Sequence, residues 1–417
     1  MKRSTGRILT THVGSLVRPP DLQQMIRARE SGNPYDHEAL AARVRSAVAE
    51  AVRKQVECGI DIVSDGEQGK LGFNTYTNQR LAGFEPRALR PGEHPRPRRR
   101  DWDEFPEFYD EYWQTQPVTA PPQVCTGAVT YKREAVAIDI QNFKEALQGA
   151  RVEEAFMPAI APFYQGENRF YPTEQAFFSA VADALHEEYQ AIVEAGFILQ
   201  IDDPGLPTQW DAHRPALSVA EYRKRAAQRV ELVNHALRGI PEERVRYHIC
   251  WGSWHGPHVT DLPLQDVVDL MLQVRAQAYS VEAANPRHEH EYHVWEDVKL
   301  PEGKILIPGV IAHTTNTVEH PKLVKERLLR YARLVGRENV IAGVDCGFAQ
   351  GAFTARVHPT IAWAKLKALA EVSRSGGGTS RRMMVHRDPG ADCLRRKGRS
   401  GPPPTQWRKG GDYEAQY

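Results

Sequence analysis

The sequence lacks the features of secreted, membrane-spanning and nucleic-acid-binding proteins. Only 5 of its 417 residues are cysteine, and the formal net charge is +1. Few, scattered cysteines in odd number argue against a disulfide framework, and so small a charge gives no bulk attraction to nucleic acid. No apolar run is long enough to span a bilayer or to serve as a signal peptide. We therefore predict a cytoplasmic protein whose partners are small molecules, with no nucleic acid and no membrane among them.

What the sequence does contain is a repeated unit of amphipathic helix, then glycine or turn, then short apolar strand. Helices are predicted at 37–58, 174–195 and 219–238, and strands at 60–63, 197–201, 245–249, 280–282, 305–311 and 340–344. This alternation is typical of a parallel sheet with crossover helices. The number of units, and the absence of a GxGxxG dinucleotide motif, favour an α/β fold of the (β/α)8 TIM barrel type over a doubly wound sheet.

Two segments depart from this pattern. Residues 84–123 are rich in Pro, Arg, Trp and Tyr and are predicted to be an inserted loop or subdomain, serving as a lid or an oligomer contact. Acidic residues follow Arg98-Arg99-Arg100 at once, so we interpret this run as a solvated loop. Residues 375–417 are rich in Gly, Pro and Arg and are predicted to be a disordered tail, which leaves 1–374 as the catalytic barrel.

Polar side chains that can titrate or bind a metal follow six of the predicted strands. In a parallel barrel the active site lies at the C-terminal ends of the strands. Each such residue has an ordinary structural explanation by itself, because a lone Asp often caps a helix and a lone Cys is often simply buried. Their recurrence at one end of the sheet is the informative observation. The residues are Glu67, Asp202, His248 with Cys250, Glu282, His313 and Cys346.

Four of these residues form a zinc ligand set. His248 and Cys250 are two apart in a strand, so their side chains share a face. With Glu282 and Cys346 they supply two thiolates, one imidazole and one carboxylate, which suits tetrahedral Zn2+ rather than Mg2+ or Ca2+. Metal coordination deprotonates a thiol at neutral pH. A zinc with two thiolate ligands therefore favours activation of a substrate thiol over activation of water.

A second histidine group occurs nearby in the sequence. It consists of His255, His258, His288, His290 and His293. No spacing among these residues matches a known ligand pattern, so we interpret them as a polar loop around the mouth of the site rather than as a second metal centre.

The chain resembles the catalytic barrel of cobalamin-independent methionine synthase over about residues 8–372, apart from the insert. The resemblance rests on His-x-Cys, a distant Glu and Val-Asp-Cys-Gly-Phe, together with Thr11–Ser15, Asp-Gly-Glu, Gln-Ile-Asp-Asp-Pro and Ile-Ala-His-Thr-Thr-Asn. It implies zinc ligation by His248, Cys250, Glu282 and Cys346. It also implies that Val13, Gly14 and Ser15 hold the homocysteine carboxylate, that Glu67 and Asp202 bind its amino group, and that His313 donates a proton.

The resemblance implies a zinc-dependent S-methyltransferase that makes methionine from homocysteine. The methyl donor is left open between a folate and a corrinoid, because the family's Arg-Cys pair is absent near Cys125 and Thr208 replaces an expected acidic residue. An alkyltransferase acting on another thiol or on an epoxide is the alternative. A zinc hydrolase and a non-enzymatic zinc-binding protein are two further classes, and a homo-oligomer is possible for any of them.

Overall fold

The computed structural model describes residues 1–375 apart from 95, 97, 117–119, 164–165 and 214. These residues belong to one compact unit. The tail predicted at 375–417 lies outside the described residues, except for Ser375, at which the last helix ends. None of the helices in the described part of the chain combines the length and apolar character that a bilayer span requires.

Eleven strands and thirteen α-helices make up the described chain. The strands are β1 Leu9–Thr10, β2 Ile62–Val63, β3 Leu81–Pro86, β4 Gln123–Tyr131, β5 Glu154–Ile160, β6 Glu167–Asn168, β7 Ile198–Asp202, β8 Val245–His248, β9 Ala278–Glu282, β10 Ile305–Gly309 and β11 Ile341–Ala342. The helices are α1 Pro20–Glu30, α2 His37–Cys58, α3 Thr77–Arg80, α4 Arg100–Glu104, α5 Pro106–Thr115, α6 Glu134–Ala146, α7 Glu174–Glu194, α8 Gly205–Ala212, α9 Val219–Ala236, α10 Val268–Met271, α11 Val294–Asp297, α12 Pro321–Val335 and α13 Pro359–Ser375.

A curled parallel sheet positions the site. Its central six strands lie in the order β10-β9-β8-β7-β5-β2, and every pair among them is parallel. Two parallel bridges, Leu306 to Val340 and Gly309 to Gly343, connect β10 with the β11 region. Strand β11 pairs in parallel with β1. The backbone N–H of Asp61, just before β2, donates to Thr10 O in β1 at 3.2 Å.

The helix–strand units follow the predicted pattern. Helix α2 begins at the Asp36 cap, whose side chain accepts a hydrogen bond from Ala39 N, and it ends at Gly59, whose φ of 86° suits glycine. The strands that follow α7 and α9 are buried along their whole length, as expected of a sheet covered by helices. The parallel α/β arrangement predicted from the repeat is thereby confirmed.

The segment predicted as an insert leaves the parallel sheet and returns to it. Strands β3 and β4 form an antiparallel hairpin, with α4 and α5 between them. The Asp101 carboxylate in α4 accepts hydrogen bonds from His258 N at 3.0 Å and Val259 N at 2.9 Å. Trp254 Nε1 donates to the hydroxyl of Tyr109 in α5 at 2.9 Å. The insert is therefore fastened to the loop that follows β8.

The prediction of a solvated arginine run was wrong for two of its three residues. The Arg99 guanidinium lies 4.7 Å from the centre of the Trp254 ring, and that of Arg100 lies 4.0 Å from the Trp210 ring. Both also lie within 4.0 Å of the Asp211 carboxylate. The charged heads stack on aromatic faces because the insert folds back over the sheet, which local charge patterning does not reveal.

Candidate metal and substrate site

Three of the four predicted zinc ligands converge at the end of β8. The ligand atoms of His248, Cys250 and Cys346 all lie within 4.8 Å of one another, and all three side chains are buried. The sulfur atoms of Cys250 and Cys346 are 3.6 Å apart. His248 Nδ1 lies 3.1 Å from the Ser280 hydroxyl, while the buried Nε2 has no hydrogen-bond partner. Fixing one ring nitrogen through a hydrogen bond leaves the other available as a metal ligand.

The two thiols differ in acidity because they share a hydrogen bond. That bond to Cys250 holds the pKa of Cys346 well below its usual range. The same contact raises the pKa of Cys250 well above its ordinary value, and burial adds to the rise. One sulfur is therefore ready to act as a thiolate, and a cation beside it would deprotonate the second.

Glu282 lies close to this group without joining it. Its Oε1 accepts a hydrogen bond from Trp251 N at 3.0 Å, and its Oε2 accepts one from Asn285 Nδ2 at 2.9 Å. Burial raises the pKa of this carboxyl. Asp345, directly before Cys346, accepts hydrogen bonds from Ala283 N at 2.7 Å and Ala284 N at 2.9 Å. The loop that directly follows Glu282 is thus tied to the loop that carries Cys346.

Two buried carboxylates lie near the three-ligand group. Glu67 has a φ of 55°, which is rare for a residue other than glycine, and its buried Oε2 has no hydrogen-bond partner. Asp202 Oδ1 accepts a hydrogen bond from Gln200 Nε2 at 2.6 Å. Burial raises the pKa of Asp202 well above its usual value, and the neighbouring Glu67 charge adds to this. A bound ammonium group would favour the ionised form of Asp202.

The predicted carboxylate-binding element Val13–Ser15 lies on the same side of the sheet. A Cβ on Gly14, whose φ is 127°, would lie 2.5 Å from Pro158 Cγ, so only glycine fits there. The Ser15 hydroxyl donates to Ala349 O in the loop after Cys346. Val13 O accepts a hydrogen bond from Gln200 Nε2 at 2.5 Å. The element is therefore positioned by contacts to strand β7 and to the loop after Cys346.

His313, the predicted proton donor, is completely buried, and neither ring nitrogen has a hydrogen-bond partner. Burial lowers the pKa of His313 to about 4. Its imidazole is therefore neutral at pH 7 in this form of the protein. It would need a neighbouring acid or a developing negative charge before it could carry a proton to a substrate.

A single pocket of about 470 Å³ brings most of the predicted residues together. Val13, Ser15, Glu67, Asp202, His248, Cys250 and Cys346 line it. Gly14, Glu282 and His313 are not among the described residues that line it. We call the lining from the strand ends the floor, and the side chains above it the roof. The roof includes Arg96, Arg99, Trp113, Gln116, Trp254 and Arg356, four of them from the segment that the sequence predicted to be a lid or an oligomer contact.

The second histidine group is only partly the polar loop that the sequence predicted. His258 and His288 are buried, and both approach Asp261 Oδ2 at 3.0 Å. His288 Nδ1 also lies 2.9 Å from Glu291 Oε2, and its ring stacks on Trp251. Within the described chain these histidines form no metal-binding group, and they join the loop after β8 to the loop after β9 by buried charge pairs.

A family model and known proteins match the chain over most of its length. The model is that of the cobalamin-independent synthase catalytic domain, and it matches residues 111–371. The methionine synthase of Thermococcus kodakarensis is 22% identical over 349 residues, which cover 81% of this chain and 86% of that protein. The methionine synthase of Sulfolobus acidocaldarius is 24% identical over 270 residues, which cover 63% and 68% respectively.

A solved structure shares the fold. It is the B12-independent methionine synthase from Shewanella sp. W3-18-1 in complex with selenomethionine, with a TM-score of 0.67 and 19% identity over 89% of this chain and 98% of that one. The family resemblance predicted from the sequence motifs is confirmed, and so is an enzyme of the methyltransferase class. Because the family model covers more than half of its length, this chain belongs to the family of cobalamin-independent synthase catalytic domains.

Proposed function

We propose that the protein transfers a methyl group to the sulfur of homocysteine and so forms methionine at a zinc ion. The observation that carries this proposal is the buried group of two thiols and one imidazole, whose ligand atoms lie within 4.8 Å of one another. The unpartnered Nε2 of His248 and the depressed pKa of Cys346 fit a soft cation at this point. Zinc bound there would supply a Lewis acid that keeps the substrate sulfur a nucleophilic thiolate.

The residues of the chain would bind and orient homocysteine. Glu67 and Asp202 would accept hydrogen bonds from its ammonium group, since both are buried carboxyls beside the pocket. The homocysteine carboxylate would bind to backbone groups of Val13 and Gly14 and to the Ser15 hydroxyl. Glu282, whose two oxygens accept hydrogen bonds from Trp251 and Asn285, would serve as the fourth metal ligand.

The transfer balances without a further reactant. The sulfur lone pair forms the new carbon–sulfur bond, the bond between the methyl group and its donor breaks, and the electron pair of that bond stays with the donor. The proton that the homocysteine thiol loses on ionising would pass to His313, which would deliver it to the leaving group as negative charge develops there. A folate and a corrinoid both remain candidates for the donor.

We also propose the finer description of the fold on which this site depends. The six-stranded sheet, the bridges from β10 to β11, the β11–β1 pairing and the Asp61–Thr10 hydrogen bond together support a closed (β/α)8 barrel. Residues 1–374 would then be the catalytic domain, with 84–123 inserted as its lid. The site lies at the C-terminal ends of the strands, as in other barrels of this type.

The test is to incubate the zinc-loaded protein with homocysteine plus one methyl donor, either 5-methyltetrahydrofolate or methylcobalamin, in separate reactions. Methionine is detected by mass spectrometry. Binding of the thiol is followed independently on cobalt-substituted protein, where a new sulfur-to-cobalt absorption band reports direct coordination. We expect the band with homocysteine and methionine with at least one donor. Absence of both would refute the function, while a band only with other thiols would favour the alternative alkyltransferase.

A further inference from the structure

The backbone around His313 decides where its imidazole lies, because the ring itself makes no hydrogen bond. The side chain is completely buried, and neither ring nitrogen has a partner. Before His313 the backbone is fixed to the loop that carries Cys346, since Asp345 N donates to Ile311 O at 3.0 Å. After His313 the chain runs outward, and residues 315–318 are exposed. An exposed excursion beside the proposed proton donor would let that residue drift unless the two ends of the excursion are joined.

Glu319 joins those two ends. Its Oε1 accepts a hydrogen bond from Ala312 N at 2.8 Å, so the residue directly before His313 is bonded to the residue that ends the exposed excursion. The carboxylate is held in turn by Lys365 of α13, whose Nζ donates to Glu319 Oε1 at 3.0 Å and to Oε2 at 2.9 Å. These contacts, from Lys365 through Glu319 to Ala312, form a tether that links the position of His313 to the last helix of the described chain.

The ion pair inside the tether is a weak source of stability by itself. The Lys365 side chain is fully buried, and that of Glu319 is 8% exposed. Removing two charges from water has a cost that can exceed their attraction, so an apolar pair of similar volume is often at least as stable. An apolar pair cannot, however, supply an acceptor for the Ala312 amide. What the carboxylate adds at this place is therefore the position of the backbone beside His313.

We propose that Glu319 and Lys365 are positioning residues for the proton transfer by His313. They hold the Ala312 backbone so that the imidazole can reach the leaving group of the methyl donor. The inference rests on the proposed function, in which His313 carries the proton of the homocysteine thiol to that leaving group. Glu319 and Lys365 are not among the described residues that line the pocket, so they act through His313. A misplacement of about 1 Å in such a group can lower a rate by about 100-fold.

Two double variants remove both charges and differ only in whether Ala312 keeps an acceptor. Glu319→Gln/Lys365→Met retains a side-chain carbonyl oxygen in the tether, and Glu319→Leu/Lys365→Met does not. Neither leaves a buried unpaired ion, as the single variants would. Arg53→Gln/Glu57→Gln, which removes an exposed ion pair on α2, is the matched control.

Hydrogen exchange of the zinc-loaded protein measures the tether directly, with mass spectrometry of peptides that span 308–316 and fragmentation to resolve single amides. In the wild type the Ala312 amide should exchange more slowly than the amides of the exposed residues 315–318. The leucine double variant should exchange it faster by about 10-fold or more, the size expected when a hydrogen bond to a charged group is lost. The glutamine double variant should lie between the two, and the control should match the wild type. A wild-type Ala312 amide that exchanges as fast as those of residues 315–318 would overturn the tether without any variant.

Kinetics separate positioning from stability. With whichever donor yields methionine, the leucine double variant should lower kcat by about 10–100-fold at nearly unchanged KM for both substrates, because only the proton transfer is impaired. The glutamine double variant should recover most of that loss, while zinc content and the cobalt band of both should match the wild type. Equal kcat in the two double variants would overturn the positioning role, and so would an effect on KM alone.

A further variant covers the case in which the leucine double variant does not fold, as judged by circular dichroism. Glu319→Asp keeps the charge and shortens the side chain by one methylene group, so it should speed exchange at Ala312 and lower kcat at unchanged KM. Wild-type rates of both would overturn the proposal.

The outcomes also distinguish this inference from the function on which it rests. Absence of the cobalt band and of methionine in the wild type refutes the proposed function, and with it any catalytic role of the tether. A wild type that forms methionine, with equal rates in the two double variants, refutes the positioning role alone.

Discussion

The floor and the roof of the pocket are built in different ways. The floor is made of side chains at the ends of parallel strands, in a region where β8, β9 and their neighbours are fully buried. The roof is made of the insert and two loops, held together by hydrogen bonds such as that from Trp254 Nε1 to the Tyr109 hydroxyl and by the stacking of Arg99 on the Trp254 ring. The floor is acidic and rich in sulfur, and the roof is basic and aromatic.

This difference suggests a division of labour. Strand ends hold side chains to within the tolerance that metal ligation requires, because every neighbour in the sheet restrains them. Loops adapt more easily and carry the residues that select a ligand. We therefore expect changes in the floor to abolish chemistry and changes in the roof to alter the affinity for the second substrate.

The largest effect is expected from Cys346→Ser. The variant would lack one of the two proposed thiolate ligands, so bound zinc should fall and methionine formation should drop by more than about 100-fold, since even an outer partner of a ligand contributes about 10–100-fold. Zinc is measured by atomic emission and methionine by mass spectrometry. Cys58→Ser, at a buried thiol outside the pocket, is the matched control. Full zinc content and full activity in Cys346→Ser would show that Cys346 is needed neither for zinc binding nor for the reaction.

Asp202→Asn should separate amino-acid binding from metal binding. Its affinity for homocysteine should fall by about 10–100-fold, the size expected for a hydrogen bond between charged groups, while zinc content stays unchanged. The cobalt absorption band provides the titration. 4-Mercaptobutanoate, which lacks the amino group, should bind the wild type and the variant equally. A variant that weakens both thiols alike would show that Asp202 shapes the pocket without contacting the amine.

The buried charge pairs between the loops after β8 and β9 should make stability depend on pH through His288. Burial by itself would lower its pKa, but hydrogen bonds to Asp261 and Glu291 outweigh this and raise the pKa to about 10. A folded-state pKa above the ordinary 6.5 favours the protonated form. The stabilisation is therefore complete below pH 6.5 and is lost as the pH rises toward 10.

Denaturant unfolding of the wild type and His288→Asn across that pH range checks this expectation. The difference between their free energies of unfolding should narrow steadily as the pH rises. A constant difference would mean that His288 contributes by ring stacking on Trp251 rather than by charge.

The smallest effect is expected from Tyr112→Phe in the roof. The Tyr112 hydroxyl accepts hydrogen bonds from His255 N at 3.1 Å and Arg356 Nη1 at 2.9 Å. Their loss should cost about 1 kcal/mol of stability and raise the donor KM by a few-fold at most, with zinc content unchanged. Thermal unfolding and steady-state kinetics measure the two effects, with Tyr35→Phe as the control. A large loss of zinc in Tyr112→Phe would contradict the separation of roof from floor.

The sequence predicted the floor better than the roof for a physical reason. His248 and Cys250 share a face through the two-residue period of a strand, and the ends of parallel strands meet at one edge, so local pattern determines proximity. Arg356 and Arg96 line the same pocket only because the insert folds back over the sheet. No periodicity in the local sequence indicates such a long-range contact. The arginine run at 98–100 was a visible signal, but the rings on which Arg99 and Arg100 stack, those of Trp254 and Trp210, are distant in sequence.

The strands that sequence reasoning missed have a similar cause. Strand β1 has only two residues, too few for a pattern to emerge. Strand β5 contains Pro158, which normally argues against a central strand. The helix α2 was predicted with its observed bounds, because an Asp cap and a left-handed glycine mark its two ends.

The closeness of Cys250 and Cys346 means that a metal ion bound between them would also protect them from oxidation. Their sulfur atoms, 3.6 Å apart, need to approach by only about 1.5 Å to form a disulfide, whose bond length is about 2.05 Å. Cys346 already has the low pKa that makes a thiolate prone to oxidation. Stripped of metal in air, the protein should lose two titratable thiols that the zinc-loaded form keeps. The same pair of cysteines that favours a substrate thiolate would therefore make the apoprotein sensitive to oxidants. The time for which these two thiols stay reduced would then depend on the supply of zinc.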